Sequence, residues 1–234
     1  MNNEQKGGCG CLLLFIFFVM ACNGTISPAL FFVLVFVYLM CGYVMKLYFI
    51  RHAPTEANLS GSMVNGYDNA NIILQKKPLD WEEKVGKFIP ADMRRKVFSS
   101  PALRCIQTCE LLFGFKPSES QIRNDLQEFD CHKLGDKKFW EITEDEFNGL
   151  VQISSLEMKK RVRNILTNSF GNSILISHGM LIRYIYHYFN GNENISAYDV
   201  INSKGFRFSN LDLLEVDTQT RVAIPHYYNK PIKH

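Results

Sequence analysis

Apolar and polar residues follow two different patterns along the chain. From Gly7 to Met45 no residue carries a formal charge, and two strongly apolar runs, Leu12–Met20 and Ala29–Met45, dominate that stretch. Beyond Met45 the pattern shortens. Brief β-rich runs at Lys46–Ile50, Val97–Ser99, Ser173–Ser177 and Leu211–Val216 alternate with segments of helical spacing at Leu79–Ile89, Pro101–Phe113, Leu156–Phe170 and Met180–Phe189. Ser100 is placed to cap the second of these helices, with Pro101 as its first residue. Strands alternating with helices predict an α/β fold: a three-layer sandwich with a mostly parallel central sheet flanked by helices.

The uncharged stretch predicts that this sandwich is preceded by an N-terminal transmembrane segment or hairpin. A bilayer core is spanned by about 20 apolar helical residues, which Ile26–Met45 supplies; Gly7–Cys22 is shorter and diluted by glycine. Asn23–Pro28 between them is a turn sequence. A hairpin would leave Lys6 and Lys46 on one side, which the positive-inside tendency places in the cytoplasm together with the following domain. A signal peptide over Met1–Ala21 and a lipoprotein-like box at Val19–Cys22 are the competing readings. The expected organisation is therefore a membrane anchor at 1–45 and a catalytic domain at 46–234.

Composition narrows the function. The 234 residues carry a net charge of +3, too mild for a nucleic-acid partner. Of the seven cysteines, Cys9, Cys11, Cys22 and Cys41 lie in the uncharged stretch and Cys105, Cys109 and Cys131 beyond it. This odd, scattered set does not form a disulfide framework, and reduced thiols suit a cytoplasmic domain.

Chemistry gathers where α/β folds place it, just past the carboxyl ends of the strands. Arg51-His52 follows the first run, Ser99-Ser100 and then Arg104 the second, and Ser177-His178-Gly179 the third. Two guanidinium forks, two imidazoles and two helix starts suit a phosphoryl group. A histidine can attack phosphorus and carry the group until water removes it. The second histidine, if charged, would stabilise the transferring oxygens, and a carboxyl group is needed to protonate the leaving oxygen. Taken separately these residues have plainer readings, as a solvated Arg-His turn, a surface arginine and a core histidine.

The ordered segments Tyr48–Asn58, Phe98–Thr108, Ile176–Arg183 and Asn210–Asp217 resemble the motifs of the histidine phosphatase (phosphoglycerate mutase-like) superfamily. The resemblance implies His52 as the phosphate-accepting nucleophile. Arg51, Arg104 and His178 would hold the phosphoryl group, with Asn58 lining the same loop. Glu128 would be the proton donor, with Glu56 and Asp130 in reserve. It implies a small phosphorylated substrate and neither cofactor nor metal. Ala53 replaces the commoner glycine, and the segment between Arg104 and His178 is short for a glycolytic mutase. These departures favour a phosphate monoester hydrolase, with a protein phosphohistidine phosphatase or a phosphomutase as enzyme alternatives. A catalytically silent phosphate-binding module is the alternative from another class. Specificity is expected in the loops Leu59–Pro78 and Phe115–Lys138. His132, His187, His226 and His234, and the basic runs Arg94–Lys96 and Lys159–Arg161, read as structural or surface groups.

Overall fold

The computed structural model describes residues 23–24, 27, 29–31, 45–61, 70–134, 137, 141–151, 153–169, 171–202, 206, 208–228. The chain divides into two compact units, Met1–Val44 and Met45–His234. The expected membrane segment lies almost wholly outside the described residues. Among those described, no helix is long and apolar enough to cross a membrane.

In the second unit, β1 (Lys46–Arg51) leads to the short helices α1 (Glu56–Ser60) and α2 (Trp81–Lys84). There follow β2 (Val97–Ser99), α3 (Leu103–Phe113), α4 (Glu144–Leu150), α5 (Ser155–Thr167), β3 (Ser173–Ser177) and α6 (Gly179–Phe189). The chain closes with α7 (Ala197–Asn202), β4 (Leu213–Asp217) and β5 (Val222–His226). The five strands form one sheet in the order β2-β3-β1-β4-β5.

Period-two alternation places β1 side chains on both faces of the sheet. Leu47 and Phe49 join Leu175, Leu214 and Val216 beneath α4 to α7, while Tyr48 and Ile50 join Ile174, Ile176 and Leu213 beneath α2 and α3. The central strands are thus buried on both faces, which explains their unbroken apolar runs.

The sheet is mixed, which refines the mostly parallel expectation: β4 alone runs against the other four strands. β1 and β2 run parallel to β3, whereas β4 runs antiparallel to both β1 and β5. The reason lies in the connections. The chain enters β4 beside the carboxyl end of β1, where Arg51 N–H donates to the Asp212 carbonyl and Leu211 N–H to the Arg51 carbonyl. A strand entered from that edge needs no crossover helix. Leu211 makes the bend at φ 67°, a conformation rarely adopted by a branched side chain. A tight turn, in which the Asp217 carboxylate accepts the amides of Gln219 and Thr220, then produces β5.

The helices differ from expectation mainly at their ends. α3 starts two residues late, with Ala102 in the cap position, because the Ser100 side chain is engaged elsewhere. The Leu79–Ile89 helix shrinks to one α turn and a 3-10 turn at Gly86–Phe88.

Candidate active site

The parallel half of the sheet delivers its reactive groups to one edge. Arg51 ends β1 and His52 follows it, the His52 amide bonding the carbonyl of Ser177 at the end of β3. His178 follows β3 directly, and Arg104 sits in the first turn of α3 after β2. The histidine rings meet edge to face with centroids 5.4 Å apart.

His52 is buried, and its Nδ1 lies 2.8 Å from the Ala53 carbonyl oxygen. A carbonyl only accepts, so Nδ1 carries the hydrogen of the neutral ring and Nε2 keeps its lone pair. Thr108 holds this loop from α3: its Oγ accepts the Ala53 amide at 2.8 Å and donates to the Arg104 carbonyl. Burial, reinforced by Arg104 and Arg51, pushes the His52 pKa well below 6.5 despite the opposing Ala53 hydrogen bond. The imidazole is thus neutral at ordinary pH, as a nucleophile requires.

His178 is also buried, with Ser100 Oγ 2.8 Å from its Nε2 and Arg104 Nη2 3.1 Å from its Nδ1. Burial first, then Arg104, His52 and Arg51, drives its pKa well down. The expected positive charge on His178 is therefore corrected: both imidazoles are neutral, and the arginines carry the positive charge of the cluster.

Arg51 donates from Nη1 to the Phe208 carbonyl, and its Nε is a buried donor without a partner among the described residues. Burial lowers its pKa, opposed by Glu128 and Asp212. The guanidinium lies against the start of α6, where a Cβ on Gly179 would meet Arg51 Cζ and Nε at 3.2 Å. Glycine at that position is what admits the arginine.

Glu128 reaches the cluster from a loop between α3 and α4. Its Oε2 accepts the Met180 amide at 3.0 Å, and its Oε1 accepts those of Leu181 and Phe129 at 3.1 Å each. The carboxylate thus caps the N-terminus of α6, which the sequence had left open to phosphate. Arg161 secures the loop by donating to the carbonyls of Gln127 and Glu128 and covering the Phe129 ring at 4.8 Å. That arginine is not the solvated surface group the sequence suggested.

Asn58 supports the His52 loop from α1. Its Oδ1 accepts from the Thr55 amide in a capping box and from Asn210 Nδ2, which also donates to the His52 carbonyl at 2.8 Å. Of the reserve acids, Glu56 and Asp130 are exposed. Sequence reasoning missed Ser100, Thr108, Asn210 and Asp212 as parts of this site. Their positions inside the quoted motifs were visible, but the residues they bond were not.

Cys105, Cys109 and Cys131 are buried free thiols, and burial is the main cause that pushes each up to about 12. Cys105 Sγ lies 3.5 Å from His178 Nε2. Among the described residues, no cluster of His, Cys, Asp and Glu is placed to hold a metal. Of the remaining histidines, His226 meets Glu215 at 3.2 Å and stacks on Phe88. The side chain of His132 and all of His234 lie outside the described residues.

Two neutral histidines between two arginines at the carboxyl edge of an α/β sheet define a phosphoryl-handling class of site. Residues 47–211 match the model of the histidine phosphatase superfamily (branch 1), and the chain belongs to that family. A phosphoglycerate mutase from Thermus thermophilus is similar in fold at TM-score 0.58 and 18% identity, over 79% of this chain and 100% of that one. A phosphoserine phosphatase mutant from Entamoeba histolytica, solved with phosphoserine, matches at TM-score 0.57 and 18% identity, over 79% of this chain and 96% of that one. A search of curated protein sequences returns no match.

Proposed function

We propose that the protein is a phosphatase that hydrolyses small phosphate monoesters through a phosphohistidine at His52. The observation that carries this reading is the pinned His52 ring, with Nδ1 on the Ala53 carbonyl and Nε2 left as the nucleophile beside Arg51 and Arg104. In the first step the Nε2 lone pair forms the N–P bond as the ester P–O bond breaks, and the leaving oxygen takes a proton. Glu128 is the donor assigned by the family resemblance. To serve, a protonated Glu128 must exchange one of its backbone amide partners for that oxygen. Water then attacks phosphorus, giving a proton to the Glu128 carboxylate, the N–P bond breaks and returns its electron pair to Nε2, and inorganic phosphate leaves. The arginines balance charge on the phosphoryl oxygens throughout.

Steady-state hydrolysis by the full chain, compared with His52→Ala, tests the proposal. Removing the nucleophile is expected to cost on the order of 10⁴-fold in kcat. The wild type should also carry an acid-labile, alkali-stable phosphoryl group when quenched during turnover. Turnover that survived His52→Ala would reject the mechanism.

We further assign residues 7–45 to a membrane anchor, on the strength of their uncharged, apolar sequence. Recovery of the full chain in the salt-washed membrane fraction is the expected result, and recovery in the supernatant would reject it.

A further inference from the structure

We propose that Ser100 is a positioning residue that anchors the Nε2–H of His178 and, through the ring, sets the orientation of the Arg104 guanidinium. The argument is one of donors and acceptors. Arg104 Nη2 stands 3.1 Å from His178 Nδ1, and a guanidinium has only donors to offer. Nδ1 must therefore present a lone pair, and the ring hydrogen of a neutral imidazole sits on Nε2. Nε2–H of this buried ring then needs an acceptor. Ser100 Oγ, at 2.8 Å, is that acceptor.

The serine is itself fixed. It is fully buried, and its amide donates to the Ile176 carbonyl of the neighbouring strand. Its Oγ also takes a long bond, 3.4 Å, from the Ala102 amide at the start of α3. The chain Ser100–His178–Arg104 thus joins the ends of β2 and β3 and sets the direction of one phosphate-binding arm. Without the serine acceptor, the buried Nε2–H would be left with the thiol of Cys105 at 3.5 Å, a weak acceptor. The ring would then lose the anchor that holds its Nδ1 lone pair on the Arg104 donor. His178 accordingly works as an acceptor that aims an arginine, a role different from a cationic phosphate ligand.

This inference rests on the phosphatase reading for its consequence, but its first test does not need turnover. Nitrogen-15 spectra of the histidine-labelled full chain, with His178 assigned by the signals lost in His178→Gln, should show a protonated Nε2 and an unprotonated Nδ1. The opposite tautomer, or a doubly protonated ring at neutral pH, would overturn the proposal whatever the activity. In Ser100→Ala the His178 Nε2–H signal should shift as its partner is lost, inorganic phosphate should bind about tenfold more weakly, and kcat/KM should fall by about 10- to 100-fold. Ser100→Thr, which keeps the hydroxyl, should recover the wild-type Nε2–H signal and phosphate affinity. A Ser100→Ala protein with an unchanged Nε2–H signal and unchanged phosphate affinity would equally overturn it.

Discussion

The two halves of the sheet do different work. β2, β3 and β1 run parallel, and Arg51, His52, Arg104 and His178 all project at their carboxyl ends. β4 and β5 run antiparallel and bring none of these groups. They contribute supports: Asp212, whose carboxylate accepts the amides of Ser209 and Tyr228, and Glu215, which pairs with Lys46 and His226 at the other edge. Parallel strands end on a common edge where loops lead into helix starts, so chemistry accumulates there. Antiparallel strands reverse direction and hold that edge in register.

The largest effect should fall on the parallel half. After the nucleophile, Arg104 matters most, because it faces both the proposed phosphoryl position and His178. Arg104→Ala is expected to lower kcat/KM by about 10³-fold, and a loss under tenfold would move the anion site elsewhere. Glu128→Gln sharpens the comparison through the leaving group. As a general acid, Glu128 should matter about 10²-fold for an alkyl phosphate and little for p-nitrophenyl phosphate, which needs no proton. An equal loss with both substrates would make Glu128 solely a cap for α6.

The buried histidines of the parallel half should also cost stability in acid. Their folded pKa values lie well below the unfolded value of 6.5. Below pH 6.5 the unfolded chain binds protons that the native chain does not, so stability rises with pH up to that point and falls on acidification. Each histidine should remove about 1.4 kcal/mol at pH 5.5 relative to pH 7.5. Denaturant titrations at the two pH values will read it, and a flat profile would contradict neutral burial. The smallest effect belongs to the antiparallel half. Glu215→Gln should cost about 1 kcal/mol of stability and leave kcat/KM within about twofold. A large activity loss there would erase the division of labour.

How much was legible in the sequence follows the same division. The strand ends at Arg51-His52, Ser99-Ser100 and Ser177-His178 could be read because apolar runs stop abruptly at polar residues. α6 could be read from its spacing, and it begins within a residue of expectation. β5 could not, because Pro225 and His226 interrupt its run and half its side chains face outward. The reversed direction of β4 could not be read, because it is decided by the turn at Leu211, which leaves no periodic trace. The bonds that organise the site join residues far apart in sequence, Ser100 to His178 and Glu128 to Met180 and Leu181. No local pattern records such partners. The carboxylate over the start of α6 was hidden for that reason.

The three buried thiols have a consequence of another kind. A thiol is oxidised as its thiolate, and none of Cys105, Cys109 and Cys131 ionises near neutral pH or meets solvent. The proposed phosphoryl transfer through an imidazole, with the Cys105 sulfur beside His178 kept as inert packing, would be chemistry that peroxide does not switch off. Modification of Cys105 in the native protein would then serve as a clock, recording how often the site breathes open.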